Sequence, residues 1–309
     1  MLERSSKLPS SPGAGSRWND AELATAIESK VWTASPTVRK YLHRLASGHP
    51  DCDWPTYVRA KHIPASVERL LVLGCGSGWL DRALMAKGGI GSIVACDYAA
   101  ATVERAKELA RAEGLDIDYR VVDLEHDELP GYGFDAIVAN DVLHHITNLE
   151  SLYARIQASL RRGGHFIFSE YVGPNRFQYS DAQMDVINRY MRVLPDHLRY
   201  DPCLKITLRK KERLSIERVL ADDPTEAVRS EDVLPLARSM FEVEAEYPYG
   251  GSLLSPLLYE IIVNFNEENP EDRRLLEILC DAEDRLIRSG HLSPDFCVFV
   301  ARRPELSDP

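Results

Sequence analysis

The stretch "LLVLGCGSGW", residues 70–79, runs four apolar residues into three glycines spaced two apart and ends on a tryptophan. An apolar run that stops on glycine reads as a buried strand entering a tight turn. Working outward from it, the period of the sequence switches repeatedly between strand and helix. "SIVACD" (92–97), "DYRVVD" (118–123), "FDAIVAN" (134–140) and "HFIFSEY" (165–171) read as further strands, with two more at "MFEVEAEYPYGG" (240–251) and "DFCVFVARR" (295–303). Amphipathic stretches such as "AATVERAKELARAEG" (100–114) and "NLESLYARIQASLRRGG" (148–164) lie between them, the second closed by a Gly–Gly stop. Apolar strands alternating with helices imply a parallel sheet covered on both faces, which is a doubly wound α/β domain.

In such sheets ligands sit beyond the carboxyl ends of the strands, where the strand order reverses, and the turn after the first strand lies there. Gly74, Gly76 and Gly78 therefore line the crevice, and Gly74 and Gly76 permit the positive φ and close approach that a ligand requires. A purely steric use of these glycines stays open, since strand-to-helix turns favour glycine anyway. The second strand ends in Asp97, nineteen residues after Gly78, where a carboxylate can accept hydrogen bonds from both hydroxyls of a ribose. A dinucleotide site expects a further small residue where Trp79 stands, so the pattern favours an adenosine-containing ligand without a pyrophosphate.

As a set, these residues resemble the class I S-adenosylmethionine-dependent methyltransferases. "LVLGCGSG" is similar to their first motif, "ACDYA" to the second, "VVDLEH" to the third, "FDAIVANDVLHHI" to the fourth, and "LRRGGHFIFSEY" to the entry of the fifth strand. The resemblance covers roughly residues 65–172, in order, and implies a seven-stranded Rossmann-like methyltransferase sheet and S-adenosyl-L-methionine as cofactor. Carried over by position, it places Gly74, Cys75, Gly76 and Gly78 at the methionine end, Asp97 at the ribose and Tyr98 on one face of the adenine. Asp123 and Leu124 would stand at the adenine edge and Asn140 near the methionine. Val72 occupies a position where the family often has an acidic residue.

Methyl transfer to a hydroxyl or amine needs a group that takes a proton, and the resemblance offers His144, His145 and Glu170 as catalytic candidates, with Tyr171 beside them. Helix capping or packing beside the cofactor is the competing reading for the histidines, and structural hydrogen bonding for Glu170 and for Asp141. Acceptor recognition is sought outside the shared core. Arg176, in "GPNRFQ" (173–178), leaves the fifth strand over the crevice and presents a fork suited to carboxylate, phosphate or paired hydroxyls, with Tyr171 and Gln178 as helpers. Pairing of Arg176 with Asp181 or Glu170 is the alternative. "FQYSDAQMDVINRYMRVLPDHLR" (177–199) reads as a helix capped by Ser180 whose stripe of Met184, Ile187, Tyr190, Met191 and Leu194 is core or pocket wall. The basic run "KITLRKKER" (205–213) reads as a solvated helix face.

Residues 1–16, rich in Ser, Pro and Gly, read as a disordered tail, and 17–64 as a helical N-terminal cap with helix starts at "NDAELATAI" (19–27) and "SPTVRKYLHRL" (35–45). The cofactor-binding core is expected over 65–172, a helical insertion over 173–235, and the remainder of the sheet over 236–309. The flanks of the core are similar to a bacterial subgroup of these enzymes acting on small molecules or saccharides. Together the features point to methyl transfer to such an acceptor at oxygen, with nitrogen, carbon and non-catalytic cofactor binding as alternatives.

Composition sets the remaining bounds. The 309 residues, 44% of them hydrophobic, can build a sizeable core, and a formal net charge of −11 argues against general nucleic-acid binding. No run reaches the roughly 18 apolar residues of a membrane span, and the first residues lack a secretory segment, so a cytoplasmic protein is expected. Cys52, Cys75, Cys96, Cys203, Cys280 and Cys297 are scattered without a paired spacing, so neither a metal site nor a disulfide framework is expected.

Overall fold

The computed structural model describes residues 31–305; the expectations for 1–16 and for a helix start at 19–27 lie outside these residues. Its centre is β1 (Val67–Leu73), whose alternate residues feed two different cores. Leu70 and Val72 join the apolar cluster on one face of the sheet, and Leu71 and Leu73 join the cluster on the other. All four are buried, and burial of a leucine or valine side chain contributes about 1.5–3 kcal/mol. A strand with two apolar faces belongs inside a sheet, and β1 pairs in parallel with both β2 (Ile90–Asp97) and β4 (Phe134–Asn140).

The sheet has seven strands in the order β3-β2-β1-β4-β5-β9-β8, with β3 (Asp118–Val121), β5 (Leu160–Tyr171), β8 (Glu242–Pro248) and β9 (Phe296–Arg302). The first five in this order run parallel, and β9 is antiparallel to both β5 and β8. The chain builds outward from β1 to β3, then returns to β4 on the other side. The order reverses between β1 and β4, and their carboxyl ends open the crevice predicted from the glycine turn.

On one face lie α3 (Trp79–Ala86) and α4 (Ala100–Ala112), joined by α1 (Pro36–Ser47) and α2 (Trp54–Lys61). Both N-terminal helices start as their sequences dictate. Ser35 accepts from the Val38 amide at 3.1 Å and Asp53 from the Thr56 amide at 2.8 Å, each ahead of a proline in the first turn. The opposite face is covered by α5 (Leu149–Ser159) and is rich in aromatic rings, with Phe168 stacked on Phe299 at 4.8 Å and Phe166 against Phe241 at 4.9 Å.

Between β5 and β8 come α6 (Asp181–Val193), the two-residue strands β6 (Tyr200–Asp201) and β7 (Ile206–Thr207), α7 (Ile216–Asp222) and α8 (Ser230–Met240). Ser180 caps α6 as expected, and Ile187, Met191 and Leu194 are buried in the core. Two expectations are corrected. The boundary drawn at 235 falls inside α8, whose Val233 and Ala237 belong to the aromatic core, so the helix is part of the sheet's covering layer. "KITLRKKER" is not a helix: the buried Asp201 accepts from the amides of Cys203 and Leu204 at 2.8 and 3.0 Å, bending the chain into the β6–β7 hairpin instead.

A second helical segment, α9 (Leu254–Leu258) and α10 (Pro270–Arg288), lies between β8 and β9 and packs its Leu276, Leu279 and Cys280 into the same cluster as Tyr41 and Leu42 of α1. Its anchor is Glu283, fully buried, which accepts from the amides of Gly251, Leu253 and Leu254 at 3.0, 2.8 and 2.8 Å. Burial pushes this carboxyl up, and the three amides pull against that shift. Glu283→Ala strands those three donors, each at about 1–3 kcal/mol, so a loss of about 3–5 kcal/mol is expected as a lowered urea midpoint at unchanged slope. Glu283→Gln, which keeps one acceptor oxygen, should recover part of it.

Candidate active site

The three glycines of the turn after β1 all have positive φ, at 64°, 52° and 81° for Gly74, Gly76 and Gly78, but they serve different ends. A Cβ on Gly74 would lie 2.5 Å from that of Val142 in the loop after β4, and one on Gly78 would lie 2.6 Å from the Tyr119 hydroxyl. These two are glycines because the protein itself presses on them. A Cβ on Gly76 would meet nothing within 4 Å. Gly76 is therefore where the turn faces open space. Cys75 between them is buried, and its amide donates to the Cys96 carbonyl at 2.9 Å, stitching the turn to β2.

Asp97, at the end of β2, completes that stitch. One carboxylate oxygen accepts from the Gly76 amide and the other from the Ala99 amide, both at 2.9 Å. Burial pushes its carboxyl up while those amides oppose the shift. Beside it Tyr98 is 59% exposed, and Trp79, the first residue of α3, is 47% exposed, two large rings left at the rim. In the loop after β3, Asp123 accepts from the Glu125 amide and from His126 Nδ1, both at 2.9 Å. Leu124 packs its side chain in the core, and its carbonyl accepts from Arg155 at 2.6 Å. Asn140 donates to Asp141 at 2.9 Å at the end of β4, where Asp141 takes a positive φ of 49°.

The loop after β4 turns once through Leu143–His145 and is organised by Glu170 of β5. Glu170 is 0% exposed. One of its oxygens accepts from the amides of Val142 and Leu143 at 2.9 and 2.6 Å, and the other holds His144 Nδ1. His144 Nε2 lies 3.3 Å from Glu226. Burial alone would favour a neutral ring, but the two carboxylates outweigh it and hold the His144 pKa well above the usual imidazole range. His145 goes the other way, pushed down by burial and by the neighbouring charge of His144, whose ring centroid lies 4.2 Å away.

His145 Nδ1 lies 3.1 Å from Thr225 Oγ1, and the Thr225 hydroxyl donates to Asp223 at 2.7 Å. A carboxylate can only accept, so the hydroxyl's one hydrogen points at Asp223 and its oxygen is left to accept. The ring therefore donates through Nδ1, and its lone pair sits on Nε2. Thr225, Asp223 and Glu226 lie in a loop, "DDPTEAV" (222–228), that carries no motif and was not anticipated from the sequence.

The three expected acceptor-binding residues all make hydrogen bonds to backbone carbonyls, and one of them, Arg176, holds this loop. Arg176 donates from Nη1 to the carbonyls of Pro224 and Glu226 at 2.7 and 2.9 Å, and its amide donates to Ala227 O at 2.7 Å, so it pairs with neither Asp181 nor Glu170. Gln178 donates to the carbonyls of Arg176 and Leu214 at 2.9 and 3.0 Å. Tyr171 is buried, donates to the Pro174 carbonyl at 3.0 Å and stands edge-on to His144. Glu170, expected as a proton acceptor, is walled in and acts on His144. Arg176, Gln178 and Glu170 each find a backbone partner far away in sequence, while Tyr171 bonds within its own turn.

Residues 71–168 match the family model described as a methyltransferase domain. This segment, which runs from β1 into β5, is therefore similar to a methyltransferase domain. The chain is 31% identical over 152 residues to a ubiquinone biosynthesis O-methyltransferase of Methylocella silvestris, covering 48% of this chain and 57% of that protein. It is 31% identical over 113 residues to an uncharacterized methyltransferase of Mycobacterium tuberculosis, covering 37% and 55%. The chain thus spans little more than half the length of these curated relatives. Among solved structures, a geranyl diphosphate methyltransferase in complex with GPP and sinefungin superposes with a TM-score of 0.51 at 14% identity, over 85% of this chain and 83% of that one, a likeness of fold. No helix among the described residues is long and apolar enough to cross a membrane.

Arg176→Ala removes both carbonyl contacts of the guanidinium. A loss of about 1–3 kcal/mol is expected, together with faster hydrogen exchange at the amide of Val228, which donates to the His144 carbonyl at 3.0 Å. Exchange unchanged across 223–228 would show that the loop holds without it.

Proposed function

We propose that the chain transfers a methyl group from S-adenosyl-L-methionine to a small hydroxylated acceptor, at oxygen. The observation that carries this reading is the Asp97 clamp, a carboxylate tied to the one glycine of the turn that faces open space, at the strand ends where the sheet order reverses. These residues fit the cofactor. The backbone at Gly76 leaves room for the methionine portion, Asp97 offers its remaining acceptor capacity to the ribose, and Tyr98 with its exposed ring stands ready to cover the adenine. Gly74, Cys75 and Gly78 shape the turn, while Asp123, Leu124 and Asn140 frame the site from the ends of β3 and β4.

The cofactor supplies an activated methyl group on a positively charged sulfur. What the chain adds is alignment and proton handling. His145 offers the acceptor a nitrogen lone pair, fixed in direction by Thr225 and Asp223, and Glu170 positions the His144 ring beside it. Loop 222–228, held down by Arg176, closes over this end of the sheet and favours a compact acceptor over a polymer. Relatives named as O-methyltransferases support oxygen as the acceptor atom. Saccharides remain within the class.

Calorimetric titration with S-adenosylhomocysteine tests the cofactor half. Asp97→Ala is expected to weaken binding about 10- to 100-fold, the loss of 1.5–3 kcal/mol for bonds to a charged acceptor; equal affinities would remove Asp97 from the site. Gly76→Val, strained at φ 52° and filling the open side of the turn, should melt lower and lose the ligand-induced rise in Tm that the parent shows. For the transfer half, S-adenosylhomocysteine release is followed over a panel of phenolic and sugar hydroxyls. His145→Ala is expected to lower turnover with cofactor affinity unchanged.

A further inference from the structure

We propose that His144, His145 and Glu226 form a binding site for a divalent transition-metal ion of the zinc, cobalt or manganese type, between the loop after β4 and loop 222–228. Each of the three offers one ligand atom, and these atoms all lie within 4.8 Å of one another. His144 Nε2 and Glu226 Oε1 are already 3.3 Å apart. Ligand bonds of about 2.0–2.2 Å place donor atoms about 3–4 Å apart, so closure around an ion needs shifts of about an ångström or less.

The surroundings are those of a ligand set. A metal-binding histidine fixes its tautomer by giving its other ring nitrogen to a carboxylate or a hydroxyl. Both rings do so here: His144 through Nδ1 to Glu170, and His145 through Nδ1 to Thr225 and on to Asp223. In each case Nε2 is the nitrogen on which an ion would sit, His144 releasing the Nε2 proton that it now shares with Glu226 as the ion binds. Negative charge converges on the same place, since Glu170 holds His144 Nδ1 and Glu226 Oε1 lies 3.3 Å from its Nε2. A dication would relieve that crowding. Two imidazoles with one carboxylate suit a borderline ion better than magnesium or calcium, which take oxygen donors. The two halves are fixed relative to one another by the Val228–His144 backbone bond of 3.0 Å and by Arg176 on the Glu226 carbonyl.

Binding is independent of the methyl-transfer reading. Only its consequence rests on that reading: an ion held here would take over from His145 the handling of the acceptor's proton. The test uses the full chain, freed of metal with a chelator and dialysed. Titration with Co²⁺ is followed by visible absorption and titration with Zn²⁺ by calorimetry. One equivalent is expected to bind, with Co²⁺ absorption bands typical of nitrogen and oxygen ligands. Glu226→Gln and His145→Ala should each weaken binding about 100-fold or more, and Thr225→Val, which touches only the orienting hydroxyl, about 10- to 100-fold. Circular dichroism and S-adenosylhomocysteine titration of the same samples report folding and the cofactor site separately. The proposal is overturned if the parent binds no stoichiometric ion, or if a folded Glu226→Gln or His145→Ala protein binds it as tightly as the parent.

Discussion

A single carboxylate, that of Glu170, gathers the end of the sheet into a site. It sits at the end of β5 with no exposure to water, and besides the amide of Tyr171 next to it in the strand it accepts from the neighbouring loop two consecutive amides and an imidazole. Burying a charge without partners is costly, and removing the partners of a buried one more so. The loop after β4 therefore has one arrangement, the one that satisfies Glu170. His144 is fixed by it, His145 follows in the same turn, and the His144 carbonyl in turn receives the Val228 amide. Through that bond the insertion is registered against the parallel sheet.

The contrast between Asp97 and Glu170 shows how position decides what a carboxylate does. Both stand at strand ends, and both accept from backbone amides. Asp97 is only partly buried and one of its two amides, that of Gly76, belongs to the turn that faces open space, so its clamp shapes an accessible surface. Glu170 lies one layer deeper and its surroundings leave no approach. The first can meet a ligand; the second can only set the posture of a side chain that does.

Much of this architecture was legible in the sequence, and the boundary of legibility has a physical cause. Strand runs such as 70–73 and 134–140 declare themselves because each residue is apolar for a local reason, its own face of the sheet. Asp97 is readable because its partner amides lie in turns whose glycine spacing is itself a signal. The partners of Arg176 and Gln178 were not legible because a long polar side chain does not announce its acceptor, and theirs are carbonyls that any sequence supplies. Asp223, Thr225 and Glu226 were missed altogether: they form an ordinary polar loop until the fold lays it against two histidines about 80 positions earlier. The bounds of α8 run across the boundary expected at 235 because the helix is fastened by the aromatic core, with Pro235 inside it.

The packing of α10 on α1 bears on how the chain comes together during synthesis. Tyr41 and Leu42 leave the ribosome early, while the side chains that cover them, Leu276 and Cys280, are among the last of the core to appear. The sheet shows the same order, because β9 is made after β8 yet lies between it and β5. Contacts of such long sequence separation form late and slowly. The first helices must wait with their apolar stripe uncovered while the central strands assemble, a window in which the nascent chain would profit from a chaperone's shelter.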